Sequence, residues 1–313
     1  MISIEEIEAA RSRIADVAIR TPLVRFYSAD SPAEIWLKLE CLQPIGAFKI
    51  RGAANAMRSA PAGSLDQGVW TTSAGNMAQG VCWMARELGI ASTVVVPDHA
   101  PEAKLTAINR LGGRVIKVPF DRWWEAMVAG AYPDVEGFFV HPVQDRAVMA
   151  GNGTIALELL EDLSDIDTVL VPWGGGGLTT GIASALKVRS PGTKVYSCEP
   201  ATGAAMHASF EAGTPTPVDY SASFVDGAGS KSLLPAMWDL ARPLLSGTFA
   251  LSLNDTAAAV RLLATQSRVV AEGAGALPLA AALSGGAGSG RIVCIISGGN
   301  IDPSKLAEIL SLD

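Results

Sequence analysis

The spacing of apolar and polar positions changes along the chain, and those changes predict most of its elements. The opening residues, MISIEEIEAARSRIADV, place Ile4, Ile7, Ile14 and Val17 on roughly one face of an acidic helix. A short β-like run, IWLKLE, follows at residues 35–40. Brief β-branched runs then alternate with helical patterns: GVWTTS, a helix near 77–88, STVVVP, a helix near 102–111, and RVIKVP. Further on come DTVLVPW, a helix near 178–189, KVYSCEP and finally RIVCIIS. Strands interleaved with helices and punctuated by Gly and Pro predict an α/β protein with parallel-rich sheets flanked by helices. The spacing suggests two lobes: a large one from residues 1–64 and 147–313, and a small one, residues 65–146, inserted into it. LSGGAGSG (residues 283–290) reads as a flexible surface loop.

Composition narrows the function. With 313 residues, 49% of them hydrophobic and 18% charged, the chain can bury two cores. A net charge of -7 and the lack of a Lys/Arg cluster argue against a nucleic-acid partner. No basic start precedes an apolar run, and no apolar stretch reaches the roughly 20 residues that span a bilayer. A membrane role is therefore not expected. Cys41, Cys82, Cys198 and Cys294 are scattered without CxxC spacing, so buried free thiols and a cytoplasmic protein are expected.

Four stretches carry candidate chemistry. In GAFKIRGAANAM, Lys49 opens a helix among Ala47, Phe48, Ile50, Ala53 and Ala54. An ammonium in such surroundings loses hydration and deprotonates more easily, as an amine nucleophile requires; a lysine reaching solvent from a helix end is the alternative. TTSAGNMAQG offers small residues and helix-opening N–H groups suited to a carboxylate, with Asn76 able to donate to an oxygen. VPWGGGGLTTG puts four glycines between a buried strand and a helix, a run of bare N–H groups suited to a phosphate. A nicotinamide fold would want G-x-G-x-x-G and an acid about 20 residues on. Glu199 supplies the acid, but the third glycine's place falls on Thr179 or Thr180. In CIISGGNID, Ser297 ends a strand with a hydroxyl that can bond a ring nitrogen.

Together, in this order, FK-x-RG, S-x-GN, GGGG and SGGN resemble the fold type II pyridoxal-phosphate enzymes. The likeness is greatest to the threonine/serine ammonia-lyase (dehydratase) and serine racemase branch in its short form without a regulatory domain, and it runs from RTPL at residue 20 to SGGNID. It implies the two-lobed, tryptophan synthase β-like architecture. It implies pyridoxal 5'-phosphate covalently bonded to Lys49, Phe48 against the ring, and Gly174, Gly175, Gly176 and Gly177 on the phosphate. Asn76 would bond the ring hydroxyl and Ser297 the ring nitrogen. Ser73, Ala74, Gly75, Asn76 and Met77 would meet the substrate, and a homodimer is implied.

The implied reaction is β-elimination from a β-hydroxy amino acid such as L-threonine or L-serine, giving a 2-oxo acid and ammonia. Ser297 cannot keep the ring nitrogen protonated, which favours elimination over a long-lived carbanion. Racemases of the branch resemble SSGN, and Ala74 stands where their second serine moves a proton, so racemisation is not expected. Met77 replaces a common histidine. Glu199 matches a carboxylate that binds a divalent cation in some relatives, but ATGAAM lacks the next acid, which makes a metal doubtful. Trp123 and Trp124 either pack the small lobe or line the substrate pocket. The second option keeps a phenylserine- or 3-hydroxyaspartate-like substrate open. A β-replacement synthase ranks lower, because those resemble TSGNTG at this loop.

Overall fold

The computed structural model describes residues 1–28 and 31–311. The strands among them are β1 (Leu23–Arg25), β2 (Glu34–Lys38), β3 (Val69–Thr71), β4 (Ser92–Pro97), β5 (Arg114–Val118), β6 (Phe138–Phe139), β7 (Thr168–Pro172), β8 (Lys194–Pro200), β9 (Gly247–Leu251) and β10 (Arg291–Ile295). They form two sheets. The larger runs β1-β2-β10-β7-β8-β9, with β1 antiparallel to β2 and the other pairs parallel. The smaller runs β5-β4-β3-β6 and is parallel throughout.

A parallel strand covered on both faces must be largely apolar on both, as β10 and β4 are. In β10, Ile292 and Cys294 join one core with helices Leu253–Leu262 and Gly273–Leu283. Val293 and Ile295 join the opposite core, with helices Arg146–Asp162 and Gly177–Arg189. In β4, Val94 and Val96 pack with Cys82, Leu105 and Ile108, whereas Val95 faces Trp70 and Val118. Every other residue turns to the other side, as the pleat dictates.

Three boundaries differ from the sequence reading. The first helix ends at Arg13; Ile14 caps it and Val17 is buried in a separate cluster. IWLKLE leaves the sheet after Lys38, and Glu40 begins a 3-10 turn, Glu40–Leu42. Within LSGGAGSG, Leu283 still ends a helix and Ala287 is buried, its carbonyl accepting from Thr168 Oγ1 at 3.1 Å.

Candidate active site

Helix Lys49–Arg58 starts from a segment tied to the far end of the chain. Ala47 faces Gly298 in an antiparallel bridge, the Phe48 N–H donates to the Ser297 carbonyl at 3.0 Å, and the Gly299 N–H donates to the Gly46 carbonyl at 2.9 Å. GAFK and SGGN are thus one structural unit. Gly46 has φ +71, and a Cβ there would lie 2.6 Å from Asn300 Oδ1, so the turn admits no side chain.

Two residues past Lys49, Arg51 is buried between two carboxylates. It donates to Glu40 at 2.8 and 2.9 Å and to Glu158 at 2.7 and 2.9 Å. Lys38 Nζ adds a 2.6 Å contact to Glu158 and donates to the Thr21 carbonyl at 2.7 Å. Burial alone would raise the Glu40 carboxyl, but Arg51 beside it outweighs that and holds it below the usual range. This network fixes the start of the helix, and with it Lys49, against β2 and helix Arg146–Asp162.

Lys49 is partly exposed, yet its ammonium is strongly desolvated. Nζ donates to the Pro142 carbonyl at 3.3 Å and sits 5.1 Å from the Phe48 ring centre. Desolvation pulls its pKa from 10.5 to about 8, against Glu272, whose charge raises it. His141, given no role by the sequence reading, builds the turn that presents Pro142. Its Nδ1 accepts from the N–H groups of Val143 and Gln144, both at 3.0 Å. Burial first and the Lys49 charge second push its pKa down to about 4, so the ring is neutral near pH 7 with its proton on Nε2.

The four glycines follow β7 and Trp173, which is fully buried. Gly176 has φ +92, and a Cβ there would lie 2.4 Å from the Trp173 ring. A Cβ on Gly175 would strike Val143 Cγ2 at 2.3 Å, and one on Gly174 would lie 3.0 Å from the Gly227 carbonyl. The bend is therefore bare of side chains and opens helix Gly177–Arg189, whose first N–H groups lack intrahelical partners. Close by, both amide atoms of Asn152 and Trp173 Nε1 are buried without a partner among the described residues, as is Thr180 Oγ1 on the same helix. Buried polar atoms are normally paired, so unpaired ones beside a bare bend fit a polar group held there.

Asn76 opens helix Asn76–Leu88, with Ser73, Ala74 and Gly75 in the partly exposed loop before it. Asn76 Nδ2 donates to Glu272 Oε1 at 2.9 Å, and its Oδ1 accepts from Asn300 Nδ2 at 2.8 Å. Glu272 is buried, and desolvation first, then Asp226, push its pKa up to about 7. The sequence reading missed Glu272; its signal was one acid before GAGAL in an apolar run. Gly75, Asn76, Lys104, Phe224, Asp226 and Glu272 help line a cleft of about 750 Å³.

Some predicted residues stand elsewhere. Met77, expected at the substrate, turns into the core with Ile50, Val81, Met84 and Val148. Trp123 is half-buried, packs against the Trp70, Val95 and Val118 cluster and donates from Nε1 to the Thr72 carbonyl at 3.1 Å, whereas Trp124 is exposed, its ring centre 6.2 Å from that of Trp123. Glu199 uses its two oxygens on the N–H groups of Met206 (3.1 Å) and His207 (2.8 Å), capping helix Ala205–Ala212. Burial lifts its pKa to about 8. Among the described residues no group of three or more His, Cys, Asp or Glu could hold a metal ion.

The sequence profile described as "Pyridoxal-phosphate dependent enzyme" matches residues 14–298. The chain belongs to this family. It is 38% identical over 310 residues to an L-threonine ammonia-lyase of Geobacter sulfurreducens, covering 97% of this chain and 77% of that one. It is 34% identical over 319 residues to a catabolic L-threonine dehydratase of Staphylococcus aureus, covering 99% and 92%. Among solved structures it is similar to maize serine racemase, with a TM-score of 0.88, 31% identity and coverage of 98% and 96%. The cofactor of the family is pyridoxal 5'-phosphate. The site suits it: a bare glycine bend with unpaired polar groups close by, an amine with a lowered pKa, and a neutral serine, Ser297, 2% exposed at the end of the sheet.

Proposed function

We propose that this enzyme removes water and then ammonia from a β-hydroxy amino acid, L-threonine or L-serine by default, leaving the 2-oxo acid. The observation that carries the reading is Lys49: a desolvated amine, hydrogen-bonded to one carbonyl, its pKa lowered to about 8. The names of the relatives agree with it.

In this reading Lys49 is the amine that binds the cofactor aldehyde, the N–H groups of Gly174 to Gly177 hold the phosphate, and Phe48 lies against the ring. Ser297 bonds the ring nitrogen, and the remaining Asn76 amide hydrogen reaches the ring hydroxyl. When bound, the cofactor acidifies the substrate's α-C–H by accepting electron density. Ser73, Ala74, Gly75 and Asn76 grip the carboxylate through N–H groups at a helix start. Lys49, once freed, accepts the α-proton. The Cα–H and Cβ–O bonds break, and water lost there is regained at hydrolysis. Carbon, oxygen and hydrogen then balance as 2-oxo acid plus ammonia, with no oxidant or reductant. The residue 65–146 lobe would close over this cleft, and the reading extends to a cytoplasmic homodimer.

Formation of 2-oxo acid from threonine, serine, phenylserine and 3-hydroxyaspartate tests the reading. Turnover of threonine or serine without added thiol, lost in Lys49→Ala, is expected. Wild-type rates in Lys49→Ala, or turnover only when a thiol is added, with the amino group kept in the product, would refute it.

A further inference from the structure

Asn152 lies in the middle of helix Arg146–Asp162, 1% exposed, where three helices meet almost without side chains. A Cβ on Gly52, in the Lys49 helix, would come within 2.9 Å of Asn152 Oδ1. A Cβ on Gly177, last residue of the glycine bend, would come within 3.9 Å of its Nδ2. The helix neighbours of Asn152 are glycines too: Gly151 abuts the Arg51 carbonyl and Gly153 the Gly181 carbonyl. These contacts hold the backbones together and leave the Asn152 amide wedged between the lysine's helix and the bend. Yet neither its oxygen nor its nitrogen has a partner among the described residues. An apolar side chain would fill such a place at lower cost, so the amide calls for a ligand.

We propose that Asn152 donates from its side-chain amide to the cofactor's phosphate, adding a neutral donor beside the backbone N–H groups of Gly174 to Gly177. A neutral donor suits this fully buried place, because an unpaired cation there would carry a larger desolvation cost in the empty site. The inference rests on the phosphate lying at the bend and is independent of which amino acid is turned over.

The test compares binding of pyridoxal 5'-phosphate and of pyridoxal, which lacks the phosphate, to apoenzyme by absorbance titration. For Asn152→Leu, the Kd for the phosphorylated form should rise about tenfold or more, the loss expected for one hydrogen bond to a charged group. The Kd for pyridoxal should stay within about twofold, and the thermal midpoint of the apoenzyme should hold or rise, since an unpaired amide has been removed. A packing role would instead lower the midpoint and weaken both ligands alike, which would overturn the proposal. If Asn152→Leu does not fold, Asn152→Asp keeps the shape and sets a carboxylate near the phosphate. It should lose more affinity for the phosphorylated form than for pyridoxal, and equal losses would sink the idea. Gly174→Ala separates the two levels. Should it erase the preference for the phosphorylated ligand while Asn152→Leu does not, the donor role fails alone. Should neither erase it, the placement of the phosphate fails with it.

Discussion

Lys49 titrates far below a free lysine because its ammonium is desolvated, and Glu272 resists that shift. Capture of the cofactor by apoenzyme requires the neutral amine. Its rate should therefore climb with pH through a midpoint near 8, where a solvent-exposed lysine would show one above 10. Glu272 is ionised above about 7 and raises the Lys49 pKa, so Glu272→Gln should move that midpoint down. Stopped-flow absorbance across pH 6–10 reads both; an unmoved or rising midpoint contradicts the assignment. Ala74 sets a second expectation at this scale, because a methyl group transfers no proton. L-serine should yield pyruvate without accumulating D-serine, as chiral chromatography of the reaction would show; interconversion as fast as ammonia release would be the contrary result. Lys49 was legible in the sequence because its apolar neighbours are adjacent in the chain. Glu272 and His141 were not, because what makes them matter, Asn76 and Lys49, lies far away in sequence.

Among the elements, helix Lys49–Arg58 depends on Arg51 and its two carboxylates. Removing one partner of a buried ion pair strands the other charges, at a cost of about 3–5 kcal/mol. Arg51→Ala should therefore lower the thermal midpoint markedly, and Arg51→Lys should not restore it, because an ammonium cannot bridge two carboxylates with a planar fork. A midpoint unchanged in Arg51→Ala would show that the network does not hold the helix. Glu199 adds a pH dependence. Its folded pKa is raised from 4.5 to about 8, so its contribution to stability is lost as pH rises through that window, when the unfolded chain releases the proton first. Glu199→Gln should flatten the fall of the thermal midpoint between pH 5 and 8. Of the ten strands among the described residues, seven were readable in advance because apolar, β-branched runs mark them; β1, β6 and β9, which lack such runs, were not. Helix Arg146–Asp162 was not, since Gly151, Asn152 and Gly153 at its centre disfavour a helix locally by roughly 1 kcal/mol per glycine. Close backbone packing against Arg51 and Gly181 overrides that preference.

Across the whole molecule, an ion pair spans the cleft, joining Lys104 of helix Glu102–Arg110 to Asp226 of the loop beside the glycine bend. Both groups are partly exposed, so the pair is worth less than about 1 kcal/mol, a weak tie across the cleft. Lys104→Asp should raise KM a few-fold and speed proteolytic nicking of the small lobe, and adding Asp226→Lys should reverse both changes. Failure of the swap to restore either would show that the pair does not join the lobes. The pair could not be read from the sequence, because its partners stand 122 positions apart and meet only in the folded chain. The central claim concerns Lys49 and is tested most directly by borohydride reduction of the holoenzyme followed by peptide mass mapping. The account predicts the reduced cofactor's mass on the peptide containing Lys49 and on no other lysine. Finding that mass on Lys104 or any other lysine, with Lys49 unmodified, would contradict it.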